Sequence, residues 1–202
     1  MTALEERLDA LVADAVVPVL KPRGYHKKRL VWTRETPGVL HEVTLQRSQG
    51  NAAGHLRVYV EGAVYVAGFD EAIGRTAPSP LSRATPQYRR RFEDIVGWPA
   101  QWIDLETWSD DELVPRLHEA IGTLADHLER IDSAEGLAAA KQESGAGLDL
   151  DLFAWWCATG DDAAREAQLA QAHAGFGHEE RWPRLLSGFV RVGERYGVAV
   201  AV

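Results

Sequence analysis

Residues 30–48, LVWTRETPGVLHEVTLQRS, decide the fold. Thr36-Pro37-Gly38 is a turn signal. On its far side Val39, His41, Val43 and Leu45 alternate with Leu40, Glu42, Thr44, Gln46 and Ser48. That two-residue period predicts a strand over 39–48 with one apolar and one polar face. The run before the turn predicts a partner strand over 30–35. Beyond the connection Gly50-Asn51-Ala52-Ala53-Gly54, Leu56, Val58 and Val60 alternate with Arg57, Tyr59 and Glu61, so a third strand is expected over 55–66. Gly62 marks a bend or bulge in it. The three make an antiparallel meander.

The period differs on either side. Thr2-Ala3-Leu4-Glu5 is a capping box, and Leu4, Leu8, Leu11, Val12, Ala15 and Val19 form one helical stripe. Pro18 and the Lys21-Pro22-Arg23-Gly24 turn are expected to disrupt and end that helix, whose stripe covers the apolar sheet face. Residues 67–90, with three prolines, read as a long loop. Trp102-Ile103-Asp104-Leu105 suits a short strand. Ser109-Asp110-Asp111-Glu112 opens a helix burying Leu113, Leu117, Ile121, Leu124, Leu128 and Ile131, with Pro115 as a kink or a shifted start, and Asp132-Ser133-Ala134-Glu135 opens a shorter one. Ser144-Gly145-Ala146-Gly147 is a linker, Leu148–Ala158 a helix apolar nearly all round, and two more helices follow before an apolar tail at 198–202. The expected architecture is α+β: an N-terminal helix on a three- or four-stranded antiparallel meander, then a helical C-terminal half. Residues 1–143 would form the α+β domain and 148–202 a helical extension packed on it.

The net charge of −8 is uneven: residues 1–100 carry net +3 and residues 101–202 net −11. So acidic a second half repels phosphate backbones, which disfavours nucleic acid and favours a basic partner or simple solubility. Yet Lys21–Arg34 holds six bases and no acid, including three of the chain's four lysines. No apolar run reaches the length of a membrane span, and the first residues read as a helix and not a signal peptide, so a cytoplasmic protein is expected. The single Cys157 excludes an internal disulfide and reads as a buried hydrophobe.

The patterns that announce catalysis are missing: no phosphate-binding loop, nucleophile elbow, dinucleotide fingerprint or paired-histidine zinc helix occurs. His173 and His178 flank a glycine-rich turn without a recognised metal spacing, and His41 falls on the oily strand face as a hydrogen-bonded core group. Glu42, Glu61 and Arg57 are expected to pair across strands. Neither a metal nor a cofactor is expected, and an enzyme is disfavoured. The better candidate surface joins Lys27 and Lys28 to Gln46, Arg47, Ser48, Arg57 and Tyr59, donors and cations suited to phosphate, carboxylate or an acidic protein. Alternation puts Arg47 opposite Gln46 and Ser48, so one shared face requires a twist or bulge.

Residues 11–66 resemble a bacterial family described as domain of unknown function 4304. The likeness rests on Val19-Leu20-Lys21-Pro22-Arg23-Gly24-Tyr25-His26-Lys27-Lys28, Val31-Trp32-Thr33-Arg34 and Val43-Thr44-Leu45-Gln46-Arg47-Ser48. It continues more weakly through the arginines before Trp102 and through His127-Leu128-Glu129-Arg130-Ile131, covering roughly residues 5–142. Arg89-Arg90-Arg91-Phe92 departs from it, because Glu93-Asp94 follows where the family has a glycine. The resemblance implies an α+β fold and a bacterial cytoplasmic protein, and supplies no activity or catalytic residue.

Two functions follow as expectations. The first is a non-enzymatic interaction module using the basic turn and adjacent sheet face against an acidic protein surface. The alternative is a protein that binds an anionic small molecule, phosphorylated or carboxylated, or an enzyme of unrecognised type, on the polar sheet face. Convergence of Lys27, Arg57 and Tyr59 in a concavity would favour the alternative, and a broad exposed patch the first.

Overall fold

The computed structural model describes residues 2–51, 54–145 and 147–200. The chain forms two compact units, Met1–Tyr65 with Ser79–Asp132, and Val66–Pro78 with Ser133–Val202.

In the first unit the capping box forms as read: the Thr2 side chain accepts from Glu5 N–H and the Glu5 carboxylate accepts from Thr2 N–H. It opens helix α1 (Ala3–Leu11), which passes through a π-helical turn (Val12–Val16) into α2 (Val17–Leu20). Pro18 does not end the helix. Val17 N–H reaches back five residues to Val12 C=O, and the widened turn seats Pro18 in the first turn of α2, where a missing donor costs little.

Among the described residues the sheet has six strands, more than the meander alone. They are β1 (His26–Lys28), β2 (Val31–Thr36), β3 (Val39–Arg47), β4 (Arg57–Val66), β5 (Tyr88–Arg91) and β6 (Ile103–Asp104). Their order is β1-β2-β3-β4-β5, with β6 also on β4. β5 and β6 share one edge of β4, pairing at 61–64 and 57–58 respectively. The residues expected as a loop hold structure: α3 (Ala67–Ala72) and a 3₁₀ turn (Leu81–Arg83) precede β5, and a short helix α4 (Phe92–Val96) follows it. The predicted 50–54 connection includes Ala52 and Ala53, which lie outside the described residues, as do Ala146 of the linker and the last two residues of the tail.

One sheet face carries Val39, His41, Val43 and Leu45 with Val58, Val60, Gly62 and Val64, all buried. Against it lies α5 (Asp110–Glu129), burying Leu113, Leu117, Ile121, Leu124 and Leu128. Gly62 is the contact point and not a bulge: a Cβ there would stand 2.9 Å from Leu124 Cδ1 and from Leu128 Cδ2. Ser109 caps no backbone donor of α5; its hydroxyl goes to Glu112 instead. Pro115 lies inside α5.

His41 is 2% exposed, with Nε2 3.1 Å from Ile131 O. Burial pushes its pKa below the ordinary value against the opposing pull of the Ile131 carbonyl. The unfolded chain therefore binds a proton below about pH 6.5 that the folded chain refuses, so stability is full above that pH and falls as pH falls through it. Urea unfolding midpoints from about pH 7.5 down to 5 are expected to drop more for wild type than for His41→Gln. Parallel curves would refute this assignment.

In the second unit α3 packs on α6 (Ala134–Glu143) and α7 (Leu150–Thr159), followed by α8 (Asp162–Phe176) and α9 (Trp182–Arg195). Phe69 stacks on Trp155 with centroids 5.3 Å apart, and Phe153 meets Phe189 edge-on at 4.9 Å. Ser133 caps α6 through Gly136 N–H, and Asp149 and Asp161 cap α7 and α8. Lys141 is buried, its Nζ 2.5 Å from Asp149 Oδ2. Cys157 is buried, which raises its thiol pKa.

Candidate binding site

Strand register separates the expected site residues into three places. Lys27 pairs with Trp32, and Trp32 with Val43, so the Lys27 side chain stands on the helix-facing side of the sheet. Lys28 stands on the other side, opposite Val31. Arg47 also points to the helix side, where it pairs with Glu5 at 3.0 Å. There it lines a cleft of about 420 Å³ with Ser48, Thr2, Asn51 and His55. The hydrogen bond from the Thr2 backbone, then the Arg47 guanidinium, holds the Glu5 carboxyl below its ordinary pKa.

Gln46, Arg57 and Tyr59 lie on the opposite face, Gln46 exposed and the other two half-buried. Arg57 and Tyr59 are already engaged there. Arg57 Nε bonds Asp104 Oδ2 at 2.9 Å and its guanidinium sits 4.7 Å from the Trp102 ring centre. Tyr59 meets Trp102 edge-on and carries Arg91 at 4.5 Å over its ring. The pairing expected between Arg57 and the glutamates is not made. Asp104 takes Arg57, Glu61 takes Arg89, and Glu42 accepts from the Thr44 hydroxyl. The reason is the additional strands: β5 and β6 bring Arg89 and Asp104 beside β4. Burial works to raise the Asp104 pKa, but hydrogen bonds from Arg57 and the Glu106 backbone outweigh it and leave it low.

A further cluster escaped sequence reasoning. His55, Asp104 and Glu106 place ligand-type atoms within 4.8 Å of one another. Glu106 accepts from Leu56 N–H at 2.8 Å and lies 2.6 Å from His55 Nδ1. With Arg57 on Asp104, these oxygens are satisfied from within, and the cluster ties the start of β4 to the turn after β6.

The basic stretch is divided by its partners. Arg23 pairs with Asp126 at 2.6 Å and Arg34 with Glu129 at 3.0 Å, both acids on α5. Among the described residues, Lys21, Lys27, Lys28 and Arg29 make no ion pair, and all four are exposed. Elsewhere in this unit Arg7, Arg47, Arg57 and Arg89 are each matched to a carboxylate, whereas the exposed Arg83, Arg116 and Arg130, scattered along the chain, make no ion pair among the described residues. Beside the unmatched cations a cavity of about 480 Å³ opens between α2 and β1. Val17, Tyr25 and Trp32 supply its apolar lining, with Lys21, His26 and Lys27 around them. Lys27 Nζ lies 5.4 Å from the Trp32 ring centre.

The two-residue turn Arg29-Leu30 joins β1 to β2, and Arg29 has φ +59°. A side chain in that region costs about 1–2 kcal/mol, which is why such turns favour glycine. Arg29→Gly is accordingly expected to stabilise the fold by about 1 kcal/mol. Denaturant unfolding checks the sign; a variant no more stable than wild type would show that Arg29 carries no backbone strain.

Comparison with known proteins adds one match. The family model described as "Domain of unknown function (DUF4304)" covers residues 16–129, somewhat less at both ends than the resemblance read from the residues. No curated protein and no solved structure matches.

Proposed function

The chain belongs to the family described as a domain of unknown function, DUF4304, and on the geometry of its own residues we propose that it is a non-enzymatic binding module that presents a cationic hairpin to an acidic protein surface. One observation carries this reading: Lys21, Lys27, Lys28 and Arg29 stand exposed without a carboxylate while neighbouring arginines are neutralised internally. Unmatched surface charge of one sign steers and selects partners of the opposite sign.

The small-ligand alternative on the sheet face has less support. Lys27 and Tyr59 lie on opposite faces and three strands apart, about 14 Å at ordinary strand spacing, and Arg57 and Tyr59 are spent on Asp104, Trp102 and Arg91.

Capture from a native lysate tests the proposal. Acidic proteins retained by the wild type and released by salt are expected to be missing from Lys27→Glu/Lys28→Glu. Identical partner sets would remove the hairpin from the function.

A further inference from the structure

Resting on that reading, we propose that the outer edge of β1 takes an extended acidic peptide as an added strand, with one apolar peptide side chain seated in the cavity between α2 and β1.

Three features meet at this edge. First, β1 is the end strand of the sheet, so one side of it has no strand neighbour. In a two-residue hairpin the flanking residues Lys28 and Val31 bond each other, and alternation then turns the Lys27 N–H and C=O away from β2. Second, side chains of an added strand alternate like those of β1. One facing the helix side reaches the cavity lined by Val17, Tyr25 and Trp32, while its neighbours reach His26 and Lys28. Third, the charge is complementary to acid: Lys21, Lys27, Lys28 and Arg29 are unmatched. That same charge disfavours pairing of two β1 edges from two copies of this chain, which would set lysine against lysine.

Edge lysines also keep strands from aggregating. That role requires no cavity beside them. Only the backbone of Lys27 offers bonds along so short an edge, so the anchor and the charge must supply most of the affinity, as in other strand-addition complexes where pockets set specificity.

Two blocked seven-residue peptides separate the parts: six glutamates around a central leucine, and the same with a central serine. Full-length protein is titrated with each by fluorescence anisotropy, and exchange of the Lys27 amide is followed by NMR. The leucine peptide is expected to bind about tenfold more tightly, from burial of its side chain, and to slow Lys27 exchange. Equal affinities, or Lys27 exchange unchanged at saturation, would overturn strand addition while leaving the acidic-surface reading in place. Should neither peptide prefer wild type to Lys27→Glu/Lys28→Glu, both fall together.

Discussion

Gly62→Ala is expected to destabilise the sheet-and-helix unit by about 1–3 kcal/mol, and Leu124→Ala by about 2–5, with the double variant losing clearly less than the two together. The first change pushes a methyl to 2.9 Å from Leu124 and Leu128, too close for a buried carbon to tolerate without movement. The second empties a fully buried position on the same helix. Combined, the new methyl moves toward the space the leucine vacated, and only the crowding against Leu128 remains. Urea unfolding of the four proteins yields the coupling. Strict additivity would show that Gly62 is not the point where α5 rests on β4.

Phe153→Ala is the second large effect, expected at about 3–5 kcal/mol in the helical unit. Phe153 is completely buried and meets Phe189 edge-on, a geometry that adds about 0.5–1.5 kcal/mol beyond burial. Phe153→Leu keeps most of the volume and loses only the ring contact, so it is expected to cost less than half as much. Equal losses for alanine and leucine would mean that shape, and not volume, governs this core.

The meander was legible because β3 from His41 and β4 up to Gly62 bury one face, which writes a two-residue period into the chain; only the end residues of β2, β3 and β4 differ from the reading. The additional strands were less legible. β1 is three exposed residues, His26–Lys28, with no alternation to see. β5 is Tyr88-Arg89-Arg90-Arg91, whose arginines fit the strand because Glu61 and the Tyr59 ring on β4 receive Arg89 and Arg91, and Asp94 just beyond the strand lies near Arg90. α3 is six residues held by burial of Phe69 and Ile73, so tertiary packing and not local propensity makes it helical. The π-helical turn that carries the chain past Pro18 cannot be told from spacing alone, whereas the turn at 21–24 ends the helix as expected.

The site was legible in type and not in grouping. The basic stretch, the buried His41 and the buried Cys157 follow from residue chemistry and period. Which bases stay free could not: Arg23 and Arg34 find Asp126 and Glu129 roughly a hundred residues away on α5. Arg57 likewise takes Asp104, and His55 lies beside Glu106, through the short strand β6. Gln46, Arg47 and Ser48 are adjacent in the chain, yet alternation separates Gln46 from Arg47 by the thickness of the sheet.

The proposed contact depends on charge held at one place and not on charge in general, and a matched pair of variants separates the two. Lys27→Glu/Lys28→Glu and Arg83→Glu/Arg184→Glu alter net charge equally, and all four side chains are exposed. Binding of fluorescent polyglutamate to the full-length protein, measured by anisotropy at several salt concentrations, is expected to weaken about tenfold or more in the hairpin variant, with a flatter salt dependence, and to change little in the other. Equal weakening in both variants would contradict the hairpin as the binding surface.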